Sequence, residues 1–522
     1  MTAVEPHKRA RLRRPRIQDL IALAIPALVG ALLCAIELGT RSLWLDEGST
    51  FAITSQHGAA LWKGIKGDGG NMLLYYLLIH VVIKLFGGAA WVLRLPSLLA
   101  TAATGGLTTL LGLRLFGDRR KAVAGGLLTV VSLPLVFWGQ NARGYALMVA
   151  LAAASMLAFV TLLERPSRGA IVGYVLSTLA MLYVGYDAAL LVLAQLALLV
   201  QFRERIRLLV GCLVAVGVGC VPLLILAAQR GSGQLFWVPP LSFGELGQTG
   251  ETLLSTALPP NFHHTVTTIA ATVLSAVAVL AALAAAATVV RRHARRRTHW
   301  QVSFLLAWVL IPAVIGVLAS VAGEPIELAR CSILLMPGLA LLLVWALCDP
   351  RLPRFAGALG VTVLLGLRLA QVIPAYGVSP ENWKAATAYT LAVTGHGRAC
   401  VAFYPQDGRE SFDYYLRGDA AADRLTPVLP TLGWATVKPY VEHYGTLSAA
   451  GWKTVAASCP RLFLIASHQG QRGGTPASRV DYARYQTILT ELSSHYAGHS
   501  QRKFGWASPV RVTVFTRWAA YH

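Results

Sequence analysis

The sequence is dominated by long apolar stretches that are separated by short clusters of arginine and lysine. An α-helix needs about 20 mainly apolar residues to cross the hydrocarbon core of a bilayer. Stretches that approach or exceed this length lie near residues 20–39, 89–113, 122–139, 144–163, 169–186, 188–202, 208–228, 266–290, 301–321, 331–348 and 355–374. Because a backbone in lipid must satisfy its own hydrogen bonds, the pattern predicts a polytopic α-helical membrane protein with about eleven transmembrane helices.

The composition supports the same class. Hydrophobic residues make up 55% of the chain and charged residues 13%, which is about half the charged fraction typical of a soluble domain. The net charge of +22 would also suit a nucleic-acid-binding protein. However, most basic residues lie in short clusters between apolar stretches, which is typical of membrane topology. We therefore expect membrane lipids, and no nucleic acid, among the partners.

The N-terminus combines a basic tail, residues 1–18, with an apolar stretch from Leu20 to Leu38. This stretch is long enough to span a bilayer and lacks the small-x-small cleavage site of a secretory signal peptide. A lipoprotein site at Cys34 is excluded as well, because Leu33 precedes it in place of glycine or alanine. The sequence therefore predicts a retained first helix.

Charge decides the role of an ambiguous segment, Asn71–Gly87, whose apolar core has only about fifteen residues and contains Lys84. If this segment lies in the membrane interface, 22 of the 46 Lys and Arg residues fall on the same side as the N-terminus. If it spans, every later basic cluster moves to the other side and violates the positive-inside rule. We therefore predict an interfacial helix, a cytoplasmic N-terminus and an outer C-terminal region.

This topology divides the chain into a cytoplasmic tail (residues 1–18), a transmembrane domain (19–376) and an extracytoplasmic domain (377–522). Two loops of the transmembrane domain are predicted on the outer face. They are called the first loop (residues 40–88) and the long loop (residues 231–265) below.

The C-terminal region has the pattern of an α/β domain. Glu381–Val393 and Asp481–Tyr496 are helical in pattern, whereas Ala399–Tyr404, Arg461–Ser467 and Val510–Arg517 alternate or run apolar like strands. Such a domain would lie outside the membrane.

Two of the seven cysteines, Cys400 and Cys459, lie in this region, each at or just before a predicted strand. In an oxidising compartment such a pair can form a disulfide, and two unpaired thiols are the alternative. The other cysteines lie in or beside the apolar stretches, and no metal-binding spacing is visible.

The strongest candidate for chemistry is the adjacent pair Asp46 and Glu47, just beyond the first helix. Two carboxylates at a membrane surface can supply a general base and a partner that orients it or binds substrate. Burial would raise the pKa of such a base towards neutrality. The alternative is that both residues begin a short solvated helix.

Isolated arginines on the predicted outer face form a second group of candidates. Arg143 follows the apolar stretch 122–139 and Arg330 precedes the stretch 331–348. A guanidinium can grip a phosphate through forked hydrogen bonds. The simpler alternatives are an interfacial anchor for Arg143 and an ion pair with Glu327 for Arg330. Asp68 and Asn71 flank two glycines, where they can bind sugar hydroxyls or cap the interfacial helix. 

The order of these motifs resembles the GT-C superfamily of integral-membrane glycosyltransferases, in particular the family 39-like group that includes protein mannosyltransferases and aminoarabinose transferases. The resemblance covers roughly residues 20–375 and rests on the following pieces: Leu45-Asp46-Glu47, Asn71 to His80 with Tyr75 and Tyr76, Leu93 to Ser97, Gln140 to Tyr145, Phe236 to Pro240, and Arg330 with Pro337. Each motif alone is weak, but their order and spacing together are fairly specific to the superfamily.

The resemblance implies a GT-C fold and a catalytic role for the transmembrane domain. It implies transfer, with inversion, of a sugar from a polyprenyl-phosphate donor to a cell-envelope acceptor that is a lipid, a glycan or a protein. Asp46 would be the general base beside Glu47, and Arg143 and Arg330 would bind the donor phosphate. The long loop would cover the donor lipid.

Further predicted substrate contacts are Asp68, Asn71, Tyr75, Asn141 and Trp237. The resemblance also leaves room for a divalent metal ion, Mg²⁺ or Mn²⁺, with Asp46, Glu47 and Asp68 as the only well-placed acids.

Two departures from the family pattern bear on the substrate. Many relatives have Glu where this chain has Asn141, and His-Pro-Pro where it has Asn71-Met-Leu. The alternatives to an enzyme are a flippase for a lipid-linked sugar and a non-catalytic scaffold of the same fold. A flippase tends to carry charges or helix breaks at mid-membrane in matched halves, and no such repeat is visible. The composition favours a bacterial plasma membrane.

Overall fold

The computed structural model of the chain describes residues 16–230, 238–255, 266–291, 296–324, 326, 329–431, 445, 447–473, 475–506 and 508–517. The membrane part is helical throughout its described ranges, with short 3₁₀ turns between some helices. In chain order its helices are α1 Ile17–Ala35, α2 Leu45–Thr54, α3 Gly58–Gly67, α4 Leu73–Phe86, α5 Ala90–Phe116, α6 Arg119–Val130, α7 Leu133–Gly139, α8 Tyr145–Glu164, α9 Arg168–Leu182, α10 Ala189–Leu198, α11 Ile206–Arg230, α12 Phe243–Leu253, α13 Val266–Arg291, α14 Arg296–Val321, α15 Ala329–Ser332, α16 Met336–Leu347 and α17 Arg354–Val372.

Each predicted span coincides with a helix or a pair of helices. Eight helical segments in the described ranges have the length and composition to cross a membrane, and the pair α6 and α7, bent by 65°, adds a ninth. The other two predicted spans correspond to α9 and α10, which are shorter at 15 and 10 residues. The prediction of a polytopic helical membrane protein is confirmed.

The helix predicted to lie in the interface is α4. It has 14 residues, which corresponds to about 21 Å of helix and is less than the roughly 30 Å of a hydrocarbon core. Its length therefore agrees with an interfacial position, which remains a prediction, as does the orientation of the termini.

Helices α1, α5 and α6 pack closely against one another. A Cβ atom on Gly105 would lie 2.8 Å from the carbonyl oxygen of Pro26, and one on Gly126 would lie 2.1 Å from Oγ1 of Thr109. Only glycine allows backbones to approach this closely, as is common between membrane helices. The glycines therefore allow these three helices to approach one another closely.

The C-terminal domain is built on a five-stranded sheet with the order β2-β1-β3-β5-β4. Its elements are α18 Trp383–Thr394, β1 Ala399–Tyr404, α19 Gly408–Leu416, β2 Leu425–Leu429, α20 Ala449–Ser458, β3 Arg461–Ala466, α21 Pro476–His495, β4 Gly498–Phe504 and β5 Val510–Thr516. Strands β2, β1 and β3 are parallel, and β3, β5 and β4 are antiparallel. The predicted C-terminal α/β domain is confirmed.

Burial explains the architecture of this sheet. All six residues of β1 are buried, because α18 and α19 cover one face and α20 and α21 cover the other. The carboxyl end of β1 leads into residues 405–411, and this segment reaches the membrane part at the start of α2, where Ser49 donates to Glu410 and Ser411 donates to the carbonyl oxygen of Trp44.

Cys400 and Cys459 form a disulfide with their Cα atoms 5.9 Å apart, which links β1 to the segment just before β3. The bond closes a loop with a sequence separation of 59 residues. A loop of this size restricts the unfolded chain strongly.

Replacing both Cys400 and Cys459 by serine is therefore expected to lower the free energy of unfolding by about 2–4 kcal/mol. The measurement is the thermal unfolding midpoint of the purified protein, with Cys348→Ser as the control that removes a free thiol. Equal sensitivity of the wild type and the double variant to a reducing agent would contradict the expectation.

Candidate active site

Three side chains from distant parts of the sequence converge at the start of α2. Oδ2 of Asp46 lies 3.6 Å from Nη2 of Arg143 and 3.6 Å from Nη1 of Arg330. Asp46 and Arg330 remain partly accessible, with 18% and 21% of their side chains exposed, whereas Arg143 is 5% exposed. A carboxylate thus lies between two cations at a place that solvent can reach.

Glu47 has a different environment from its neighbour. Its carboxylate is fully buried and accepts hydrogen bonds from Nε and Nη2 of Arg94 at 2.8 and 2.7 Å. It also accepts from the backbone N–H of Ala142 at 2.7 Å and from that of Trp44 at 3.4 Å. Glu47 is therefore buried and fully hydrogen-bonded in the structure, an environment typical of a positioning residue, and the catalytic role predicted for it stays a prediction.

Arg94 organises the segment that leads from α1 to α2. Its guanidinium donates to the carbonyl oxygens of Leu38, Arg41 and Ser42 as well as to Glu47. One buried arginine thereby links the beginning of the first loop to the start of the helix that carries Asp46.

Arg143 is held at the start of α8 from two directions. Tyr75 and Ser97 are joined by a hydrogen bond of 2.8 Å, and Oγ of Ser97 donates to the carbonyl oxygen of Arg143. The guanidinium of Arg143 donates to the hydroxyls of Thr50 and Tyr76, each at 3.4 Å. Tyr75, predicted as a substrate contact, is fully buried. In the structure its hydroxyl is linked through Ser97 to the backbone of Arg143.

An aromatic ring lies beside the two arginines. The guanidinium carbons of Arg143 and Arg330 lie 5.9 and 5.6 Å from the ring centroid of Tyr145. Tyr145 itself packs on Trp138 with ring centroids 4.4 Å apart. Such contacts favour two adjacent cations and hold them in place.

The remaining predicted substrate contacts separate into different environments. Asn141 is buried and accepts a hydrogen bond of 2.8 Å from Nε1 of Trp44, so it fixes the residue before α2. Asn71 lines a small cavity of about 40 Å³ together with Tyr145 and Asp187. Trp237 lies outside the described residues.

Asp68 is buried near the same arginine. It accepts a hydrogen bond of 2.7 Å from the hydroxyl of Tyr76, which in turn accepts one from Arg143. Burial raises the pKa of Asp68 to about 6, although the charge of Arg143 and the Tyr76 hydrogen bond oppose the shift. Asp68 is therefore connected to Arg143 through the hydroxyl of Tyr76.

This pKa predicts a pH dependence of stability. Between the ordinary pKa of about 4 and the raised pKa of about 6, the folded protein binds more protons than the unfolded chain, so stability falls as pH rises. Asp68→Asn should remove this part of the fall in thermal midpoint between roughly pH 4 and pH 7. A parallel fall in the wild type and the variant would contradict the assignment, and Asp419→Asn in the C-terminal domain is the control.

The three acids considered for a metal ion do not fit one. The carboxylate of Glu47 is already paired with Arg94. Asp46 lies between two cations that would repel a divalent ion. In the described ranges, no group of three His, Cys, Asp or Glu side chains is placed to hold a metal. No step of the chemistry below uses a metal.

The C-terminal domain contacts the helix that carries Asp46. The carboxylate of Glu381 accepts from the backbone N–H of Leu45 at 3.1 Å, and Oγ of Ser49 donates to Glu410 at 2.6 Å. A Cβ atom on Gly48 would lie 2.1 Å from Oγ of Ser411. These contacts could not be predicted from the sequence, because nothing in either segment indicates a partner more than 300 residues away.

The long loop also reaches the site. Its described part contains α12, which packs against α15, the short helix that carries Arg330. The loop therefore lies beside one of the two arginines.

Comparison with known proteins gives a partial match. Residues 71–227 match the family model of dolichyl-phosphate-mannose-protein mannosyltransferases. This confirms the resemblance to GT-C membrane glycosyltransferases over a region that includes Arg143, while Asp46 and Arg330 lie outside the matched residues. No curated protein matches the chain.

Solved structures with a similar arrangement include two of ArnT from Cupriavidus metallidurans. The one bound to undecaprenyl phosphate has 14% identity and a TM-score of 0.41, with 95% of this chain and 97% of that chain covered. The apo form has 16% identity and a TM-score of 0.42, with the same coverage of 95% and 97%. The arabinosyltransferase EmbB from Mycobacterium smegmatis has 13% identity and a TM-score of 0.39, with 74% of this chain and 44% of that chain covered.

Proposed function

With the resemblance to GT-C membrane glycosyltransferases as the premise, we propose that this protein transfers a sugar from a polyprenyl-phosphate donor to a cell-envelope acceptor. The acceptor is a lipid, a glycan or a protein, and transfer takes place on the outer face of the membrane. The convergence of Asp46, Arg143 and Arg330 is the observation that carries the proposal. It supplies one base and two phosphate ligands at one accessible point.

The proposed reaction is a single displacement. The acceptor hydroxyl attacks the anomeric carbon while Asp46 takes the hydroxyl proton, and the bond from the anomeric carbon to the phosphate oxygen breaks. The polyprenyl phosphate leaves with the bonding electron pair, and the configuration inverts. Phosphate is a good leaving group, so a second carboxylic acid is not required, in contrast to glycoside hydrolysis. This agrees with the burial of Glu47.

Arg143 and Arg330 would stabilise the negative charge that grows on the leaving phosphate. In the structure both face Asp46 instead. A bound phosphate would compete with the carboxylate for these cations, because charge-assisted hydrogen bonds to phosphate are strong and often bidentate. Donor binding would thereby release Asp46 from the arginines so that it can accept a proton.

The test is a transfer assay with a panel of radiolabelled polyprenyl-phosphate sugars, a membrane extract as acceptor and the purified protein. Transfer from one donor is the expected result. Absence of transfer from every donor, with sugar movement across liposome membranes, would favour the flippase. Absence of both would favour the scaffold.

A variant sharpens the assay. Arg330→Lys keeps the positive charge but loses the paired N–H groups with which a guanidinium binds phosphate. We therefore expect the KM for the donor to rise about tenfold. The matched control is Arg114→Lys, which changes an arginine paired with Glu164 at a distant exposed site. An unchanged donor KM in Arg330→Lys would remove this arginine from the phosphate site.

A further inference from the structure

A second cleft lies between the end of α1 and the start of the C-terminal domain. It has a volume of about 430 Å³ and is lined by Arg41 and Ser42 on one side and by Ser379 and Lys384 on the other, with Glu37 at its edge. Asp46, Arg143 and Arg330 are not among its lining residues.

Arg41 is the unusual feature of this cleft. It is 7% exposed, and its guanidinium donates to the carbonyl oxygen of Gln140 at 3.3 Å and stacks on Phe137 at 4.6 Å. No carboxylate oxygen of a described residue lies within 4.0 Å of it. Burial and the nearby Arg94 lower the pKa of Arg41 to about 10, so the side chain is still charged at neutral pH. The more distant charge of Glu47 opposes this shift. A buried cation without an anion in direct contact is costly, and an anion in the cleft would lower that cost.

The position of the cleft relative to the membrane indicates the source of the anion. One wall follows directly after α1, and the other follows the end of α17. Tyr376 joins the two ends, because its hydroxyl donates to the carbonyl oxygen of Leu33 at 2.6 Å. The cleft thus begins where two membrane helices end, which is the level of lipid headgroups.

The helix surfaces next to the cleft can accept acyl chains. Leu32 and Ile36 on the α1 side and Ile373 on the α17 side are exposed. A lipid whose headgroup occupied the cleft would therefore have apolar surface beneath it.

The charges select among lipids. Arg41 and Lys384 give the cleft two cations against the single carboxylate of Glu37 among its lining residues. The net charge is positive, which favours a lipid with net negative charge. We propose that this cleft binds the phosphate of an anionic phospholipid headgroup, as a site separate from that of the sugar donor.

Occupancy of the cleft would also affect the site at Asp46. The carbonyl oxygen of Arg41 accepts a hydrogen bond of 3.0 Å from Arg94, the residue that binds Glu47. A lipid phosphate bound to Arg41 would thereby restrict the motion of the segment that leads into α2.

The experiment measures lipid binding by native mass spectrometry of the full-length protein in detergent, with phosphatidylglycerol and phosphatidylcholine as probes. Variants are Arg41→Gln and Lys384→Gln, and Lys453→Gln on the exposed surface of α20 is the matched control. Lys384 is exposed, so its replacement tests the site without disturbing the buried core.

We expect tighter binding of phosphatidylglycerol than of phosphatidylcholine, and about fivefold weaker binding of phosphatidylglycerol in each cleft variant. The control should match the wild type. Equal binding of the two lipids, or unchanged binding in both cleft variants, would overturn the proposal. Competition by inorganic phosphate at the same concentration as the lipid would show a site for a free anion and overturn the lipid assignment. No outcome depends on sugar transfer.

Discussion

Asp46→Asn is expected to lower the rate of sugar transfer by about a thousandfold, the range typical of losing a general base. Asparagine keeps the size and polarity of the side chain but cannot take a proton from the acceptor hydroxyl. The measurement is kcat and KM for the donor with purified variant and wild type, once a donor has been identified.

The same variant tests the competition between Asp46 and the donor phosphate. Loss of the carboxylate removes a competitor of the donor phosphate for Arg143 and Arg330, so the KM for the donor should stay the same or fall while kcat collapses. A rise in donor KM with unchanged kcat would instead assign Asp46 to binding. Glu324→Gln, at an exposed position, is the control, and an unchanged thermal midpoint in Asp46→Asn excludes misfolding.

Arg94→Met should lower the free energy of unfolding more than the loss of the disulfide or of the exposed ion pair between Arg114 and Glu164. The ion pair of Arg94 with Glu47 is fully buried, with side chains 1% and 0% exposed. Removing one partner leaves an uncompensated buried charge, which costs about 3–5 kcal/mol. The measurement is the thermal unfolding midpoint, together with the rate of proteolysis in detergent.

A double variant distinguishes charge from packing. Arg94→Met with Glu47→Gln removes both charges and should recover part of the stability lost in Arg94→Met alone. The control Arg114→Met breaks an exposed pair with Glu164 and should cost no more than about 1 kcal/mol. Equal losses in the buried and exposed variants would contradict the role given to Arg94.

The sequence contained enough information to locate the membrane helices, because apolar length and charge position follow directly from the physics of the bilayer. It was less informative for the sheet. Strand β2 is short and contains Pro427, and β4 is mostly polar and exposed, so neither shows the pattern of a buried strand. Both are edge strands, which commonly lack that pattern.

The candidate site shows a different limit. Asp46 and Glu47 are adjacent and carry the same signal, but successive residues of a helix point about 100° apart. Which of them faces the open side depends on the position of Arg94, and this is a matter of tertiary packing. The resemblance, and not the spacing, linked Asp46 with Arg143 and Arg330 across nearly 300 residues.

The attachment of α2 on two sides limits how substrates can enter. Arg94 holds this helix from the membrane part, and Glu381 holds its first N–H from the C-terminal domain. The ten-residue helix is therefore held on both sides by hydrogen bonds. Under the proposed function, we therefore expect a donor to enter on the side of Arg330 and α12, so that the proposed proton acceptor would keep its position while the proposed phosphate-binding side moves.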